Sequence, residues 1–149
     1  MNEHTLKLDS KFEALILSND LLDCLVEIHN KVFSGSIRRI FKPIAFDTLA
    51  FQLRRYIEAL NDLRADYPHL DEISLPGLSW VLVDQTFLEF CEKVIQTYSL
   101  LALICDRLHK KSLGEPYTMA EYNKDVNTYQ AMVLEHKAIG QLLTSQVKE

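Results

Sequence analysis

Three side-chain types that bind metals or move protons fall within one helical turn of the stretch ALICDRLHKK, residues 102–111. Cys105 and His109 are four residues apart and Asp106 and His109 three apart, spacings that put each pair on one helix face. A thiolate, a carboxylate and an imidazole so placed can begin a metal site. One turn of one helix cannot surround an ion, so further ligands must come from neighbouring helices. His29 near the end of the first helix, Asp47 opening the second and Glu121 opening the fourth are the available groups. The metal reading therefore rests on His29, Asp106 and His109. The plainer reading is preferred: Cys105 is core, Asp106 is solvated, and His109, Lys110 and Lys111 answer the last helix carbonyls and the helix dipole. No metal or other cofactor is expected.

Three more constellations carry possible chemistry. Arg38, Arg39, Lys42, Arg107, Lys110 and Lys111 are 6 of the 16 basic residues, and the helix order expected below brings them to one end. Such an end, which also holds two helix N-termini, suits an acidic partner or a phosphate. Arg64 and His69 in RADYPH form an R-x4-H pair, able in principle to hold a phosphodiester and move a proton. His136 precedes Gly140 by four residues in EHKAIGQLL, residues 135–143.

Each pattern resembles a known arrangement. The Asp106–His109 spacing resembles the carboxylate–histidine motif of di-iron helical bundles. That resemblance implies the same motif on a second helix, which is not expected here. Arg64 and His69 resemble the R-x4-H pair of HEPN ribonucleases, which implies metal-independent RNA cleavage across a dimer cleft. Ala65 departs from the polar residue that usually follows that arginine, and the acidic surroundings oppose RNA. His136 and Gly140 resemble histidine phosphotransfer domains, acidic four-helix bundles, which implies that His136 accepts a phosphoryl group. Ile139 stands where those domains usually carry lysine, and the periodicity buries His136 as a core histidine opposite a close-packing glycine.

The elements that must position these residues are read from the helix breakers. Gly35, Pro43, Pro68, Pro76, Gly77, Gly114 and Pro116 fall in three short zones, and only Gly140 lies elsewhere. The zones leave four segments of helical periodicity, about 10–33, 44–66, 78–111 and 118–147. Capping boxes open the first (Ser10, Glu13) and the fourth (Thr118, Glu121). In the first, one stripe runs Phe12, Leu15, Asn19, Leu22, Val26, His29 and Phe33, and another Leu17, Leu21, Cys24 and Ile28. The second is the cleanest amphipathic helix, with Leu49, Leu53, Leu60 and Leu63 on one face. The third carries two adjacent seams and should be the centre of the fold. The fourth repeats Met119, Tyr122, Val126, Tyr129, Val133, His136, Gly140, Leu143 and Val147 in heptad fashion. The expected fold is all-α: one domain over residues 1–149, an antiparallel up-down-up-down four-helix bundle. The connections at 34–43 and 112–117 then share one end. The 67–77 connection, with Asp66, Asp71 and Glu72, lies at the other.

Composition limits the function. Hydrophobic side chains make up 48% of the 149 residues and charged ones 25%, with a net charge of −5. This is an ordinary globular mixture without general attraction for nucleic acid or an anionic membrane. The opening MNEHTLKLDSK has no apolar core of the kind a signal peptide needs. No apolar run approaches the length of roughly 20 residues that a membrane helix requires. Cys24, Cys91 and Cys105 sit inside apolar patterns as small hydrophobes, so a reducing, cytoplasmic setting is expected. Gly-rich phosphate loops, G-x-S-x-G, H-E-x-x-H and paired C-x-x-C motifs are absent. The preferred function is a non-enzymatic protein–protein interaction module: an adaptor, regulator or cognate inhibitor of the immunity or antitoxin kind. Its partner is another, acidic protein. A homodimer or other homo-oligomer is also expected, because the first and third helices carry much apolar surface. A ribonuclease using Arg64 and His69 is the main alternative, and phosphotransfer through His136 the next.

Overall fold

The computed structural model describes Leu8, residues 10–33 and residues 45–148. These form four long helices packed on one another: α1 Lys11–Phe33, α2 Phe46–Asp66, α3 Trp80–Ser112 and α4 Met119–Lys148. A 3-10 turn, Tyr67–His69, follows α2, and among the described residues the only β pairing is an isolated bridge between Ser10 and Asp71.

Local chemistry sets the helix ends. The Ser10 N–H donates to Glu13 Oε1 and the Glu13 N–H to Ser10 Oγ, both at 3.3 Å. At α4 the Thr118 N–H donates to Glu121 Oε1 at 2.8 Å and the Glu121 N–H to Thr118 Oγ1 at 3.1 Å. Both expected capping boxes are thus formed. The end of α3 differs from expectation. Its last carbonyls are met not by the side chains of His109, Lys110 and Lys111 but by the turn that follows. The Leu113 and Glu115 N–H groups bond the Lys110 carbonyl at 3.0 and 3.1 Å, and the Gly114 N–H bonds that of Lys111 at 3.0 Å. Gly114 reaches this geometry at φ +100°, a conformation open to glycine.

α3 is the centre. Val83, Phe87, Phe90, Val94, Leu101 and Ile104 on one seam, and Cys91, Tyr98, Ala102 and Cys105 on the other, are buried. α2 and α4 pack along most of α3, and α2 adds Leu49, Ala50, Leu53, Leu60 and Leu63. Pairings run in reversed sequence order. Arg54 of α2 meets Asp106 of α3, whereas the Tyr67 ring just past α2 stacks on Phe87 at 4.2 Å. Likewise Arg107 meets Asp125, whereas Phe90 lies against Gly140.

α1 corrects the two-stripe expectation. Its buried face is Ala14, Leu15, Ser18, Leu25, Ile28 and Val32: each stripe gives it one residue, Leu15 and Ile28, and the other stripe members are half-buried or exposed. Small residues at 14 and 18 let the helix settle between α2 and α3, so its backbone barely meets α4. Val26 and Met119, both placed on seams from the sequence, are exposed because they lie at a seam edge and a helix start.

The end holding the α2–α3 connection is latched by a lysine that the pattern did not single out. Lys11 is only 4% exposed, with its Nζ 2.7 Å from Glu72 and 3.0 Å from Asp84. Tyr67 also donates to Asp84, at 2.8 Å, and Lys11 lies 5.0 Å from the centre of the Tyr67 ring. Burial pulls the Lys11 pKa down, but the hydrogen bonds and charges of Glu72 and Asp84 outweigh it and hold the group above its ordinary value. The acidic loop of the sequence is thus partly neutralised from within.

Candidate interaction surface

The opposite end is built where α3 stops and α4 begins. Arg107 donates to Asp125 at 2.5 Å, and the Tyr117 hydroxyl donates to the same carboxylate at 2.6 Å. Burial pushes the Asp125 carboxyl up, yet these two hydrogen bonds and the Arg107 charge hold it below the usual range. Burial and the Asp125 carboxylate both push the Tyr117 phenol up. The Arg107 guanidinium, expected to face a partner, also clamps α3 to α4 while staying exposed along the cleft that Lys110 lines. It sits 6.0 Å from the centre of the Tyr117 ring.

Lys110 and Lys111 remain outward. Both are exposed, and neither has an ion-pair partner among the described residues. Beside them Leu113 is 70% and Met119 66% exposed. A cavity of about 200 Å³ is lined by Leu108, Lys111, Tyr117, Met119 and Tyr122. A second, polar cleft of about 280 Å³ continues past Lys110 and Tyr117 to Glu115 and Glu121. Glu121 is spent on the Thr118 cap, which holds its carboxyl below the ordinary range through the Thr118 hydrogen bonds. The result is an apolar notch with the Lys111 ammonium on its rim, adjoining a polar cleft that Lys110 lines. Arg38, Arg39 and Lys42 lie outside the described residues.

The metal candidates are not brought together. His29 Nδ1 shares a 2.6 Å hydrogen bond with Tyr129, and the ring stacks on that phenol. Asp106 is not simply solvated: it accepts two hydrogen bonds from Arg54, at 3.2 and 2.5 Å. Asp47 accepts from the Thr48 N–H of its own helix start, and His109 sits half-buried near the end of α3. Asp66 and His69 repeat the D-x-x-H spacing, but they span the end of α2 and the Pro68 turn at the other end of the molecule. Among the described residues no three His, Cys, Asp or Glu side chains are grouped to hold an ion.

The two catalytic alternatives are also located. Arg64 donates to Asn61 at 3.3 Å, and His69 stands exposed in the 3-10 turn. His136 is 1% exposed, with Nδ1 3.1 Å from Thr97 Oγ1. A phosphoacceptor must meet its donor, so this burial opposes a phosphotransfer role for His136. The Tyr117–Asp125–Arg107 group went unnoticed in the sequence, because Asp125 and Arg107 come into register only once α3 and α4 are paired.

The chain matches no protein-family model, no curated protein and no solved structure. Among the described residues no helix is long and apolar enough to cross a membrane.

Proposed function

We propose that the chain is a non-enzymatic interaction module of the cytoplasm, an adaptor, regulator or cognate inhibitor, that docks an acidic protein at the α3–α4 end. One observation carries the reading: an apolar notch lined by exposed Met119 and the unpaired Lys111, with exposed Leu113 close by in the chain and Lys110 in the adjoining polar cleft. An apolar anchor that fills such a notch supplies affinity. Carboxylates around that anchor meet the lysines, steering approach and fixing register. Arg107 contributes indirectly, by holding Tyr117 and α4 in place. The up-down-up-down order supplies the frame, and the reversed pairings of α2 with α3 and of α3 with α4 support it.

The test begins with partners cross-linked in cells and confirmed by reciprocal tagging. Their affinity is then compared between the wild type and a Lys110→Glu/Lys111→Glu variant. Loss of about tenfold or more in the variant, with binding that weakens as salt rises, is the expected result. Equal affinity would remove this surface from the function. Self-association belongs to the same proposal. It is supported by exposed Ile73, Leu75, Val81 and Leu82, close in sequence where the α2–α3 connection meets α3. Light scattering should report more than the monomer mass; a monomer across the concentration range overturns that part.

A further inference from the structure

Because α1 settles toward α2 and α3, an open groove runs between α1 and α4. Its floor is Phe90, and Gly140 brings α4 down onto that ring: a Cβ at Gly140 would lie 3.0 Å from Phe90 Cε1. Two adjoining cavities, of about 190 and 450 Å³, share Asn19, Phe90, Gly140 and Thr144. The half toward the start of α1 is apolar, formed by Phe12, Leu15, Ile16, Leu143 and Val147. The other half carries Lys137, Gln141 and Ser145. From Lys137 to Val147 the groove extends roughly 15 Å along α4.

Charge marks the groove off from the rest of the surface. The chain holds 21 acidic residues, yet no carboxylate lines either cavity. Lys137 is exposed and has no ion-pair partner among the described residues. Its charge reaches His29 on α1 and His136 on α4, disfavouring a proton on either. The Thr144 and Ser145 hydroxyls donate to the Gly140 and Leu142 carbonyls of their own helix, at 2.9 and 2.8 Å. An apolar trough bordered at one end by the Lys137 ammonium and the Gln141 amide is complementary to a single-chain amphiphile with an anionic head. A helix from a partner would instead need a wide groove with apolar anchors along its whole length, and beyond Gly140 only Leu22 joins Phe90 as a large apolar side chain.

We propose that the α1/α4 groove binds a free long-chain carboxylate, with the alkyl chain against Phe12, Leu15, Phe90 and Leu143 and the carboxylate at Lys137. Gln141 flanks the head, and Thr144 lies at the junction of the two halves. The site is distinct from the Lys110/Lys111 surface, so either can fail without the other.

Calorimetric titration with dodecanoate, below its micelle concentration, tests the proposal. Saturable binding of one molecule per chain is expected. Lys137→Glu should weaken it by about tenfold, the loss of one charge-assisted hydrogen bond with a repulsive charge put in its place. Thr144→Trp, at an exposed position, should block the groove. Both variants should keep the wild-type circular dichroism and melting, since neither side chain is in the core. Dodecanol should bind at least about tenfold more weakly than dodecanoate. Absence of saturable binding, equal affinity for dodecanol, or indifference to both variants each overturns the proposal. So does Lys137-dependent binding to anionic phosphatidylglycerol vesicles without binding of free dodecanoate. A dimer that Thr144→Trp abolishes while dodecanoate fails to bind would assign the groove to a second copy.

Discussion

His136 is a core histidine whose hydrogen position follows from its neighbours. The Thr97 hydroxyl spends its proton on the Lys93 carbonyl at 2.7 Å. Its oxygen therefore accepts, and His136 Nδ1 donates. Burial first, and then the nearby Lys137 charge, push the His136 pKa down to about 4, against a smaller opposing effect of the Met132 carbonyl. In the unfolded chain the same group titrates near about 6.5. Between those values the unfolded state takes a proton that the native state refuses. Stability that is complete above about pH 6.5 is therefore lost as pH falls toward 4, by no more than about 1.4 kcal/mol per pH unit. His29, held down by burial and then by Lys137, adds a loss of the same sign. Urea midpoints from pH 7.5 down to 4.5 should fall, and His136→Gln should show a shallower acid limb than the wild type. Identical limbs would mean that His136 is not the protonation-sensitive group. The thiols give a second residue-scale prediction. Burial pushes Cys91 and Cys105 up to about 12, whereas Cys24 is only half-buried. The thiolate is the reactive form, so a thiol reagent should label Cys24 alone in the native chain and all three cysteines after denaturation. Native labelling of Cys91 or Cys105 would show that the core opens.

At the scale of the helices, Gly140 sets how closely α4 approaches α3. Alanine there gains about 0.8–1 kcal/mol of helix propensity. It also puts a Cβ 3.0 Å from Phe90 Cε1, closer than side chains normally pack, so the ring must give by a few tenths of an ångström. Phe90 borders the open groove and has room to give, so the two effects should nearly cancel for Gly140→Ala. Gly140→Val adds bulk the ring cannot escape and should cost about 1–3 kcal/mol by urea unfolding. A Gly140→Ala gain near the full propensity value would show that packing does not require glycine there. This close approach was legible in the sequence, since a glycine on an otherwise large-residue seam has few other reasons to exist. So were the helix ends at Ser10 and Thr118, where cap and partner are neighbours in the chain. The buried face of α1 was not legible: it takes only Leu15 from one apolar stripe and Ile28 from the other, and only the packing of Ala14 and Ser18 shows which way the helix turns. Lys11 was hidden for a related reason. Its partners Glu72 and Asp84 lie far along the chain, so nothing local marks a lysine that will be buried.

Across the whole molecule, charge decides between interaction and RNA chemistry. The net charge is −5, and several of the described cations are already paired with carboxylates of the chain. Arg54 is held by Asp106, Arg107 by Asp125, Lys11 by Glu72 and Asp84, and Lys93 by Glu135. Arg64, the arginine of the ribonuclease alternative, turns back onto Asn61. RNA binding draws its affinity from cations that replace the counterions of the phosphates. Around His69 the chain offers Asp66, Asp71 and Glu72 instead, so a strand approaching that turn meets repulsion. Lys110 and Lys111 are too few, and too far from His69, to hold a strand against it. Wild-type protein incubated with single-stranded RNA at low salt should therefore leave the substrate intact, as should His69→Ala. Low salt gives any electrostatic attraction its best chance, which makes that condition the demanding one. Cleavage by the wild type that disappears in both His69→Ala and Arg64→Ala would establish the ribonuclease and end the non-enzymatic reading. Cleavage that survives both substitutions would point to a contaminating nuclease, because neither member of the R-x4-H pair would then take part in it.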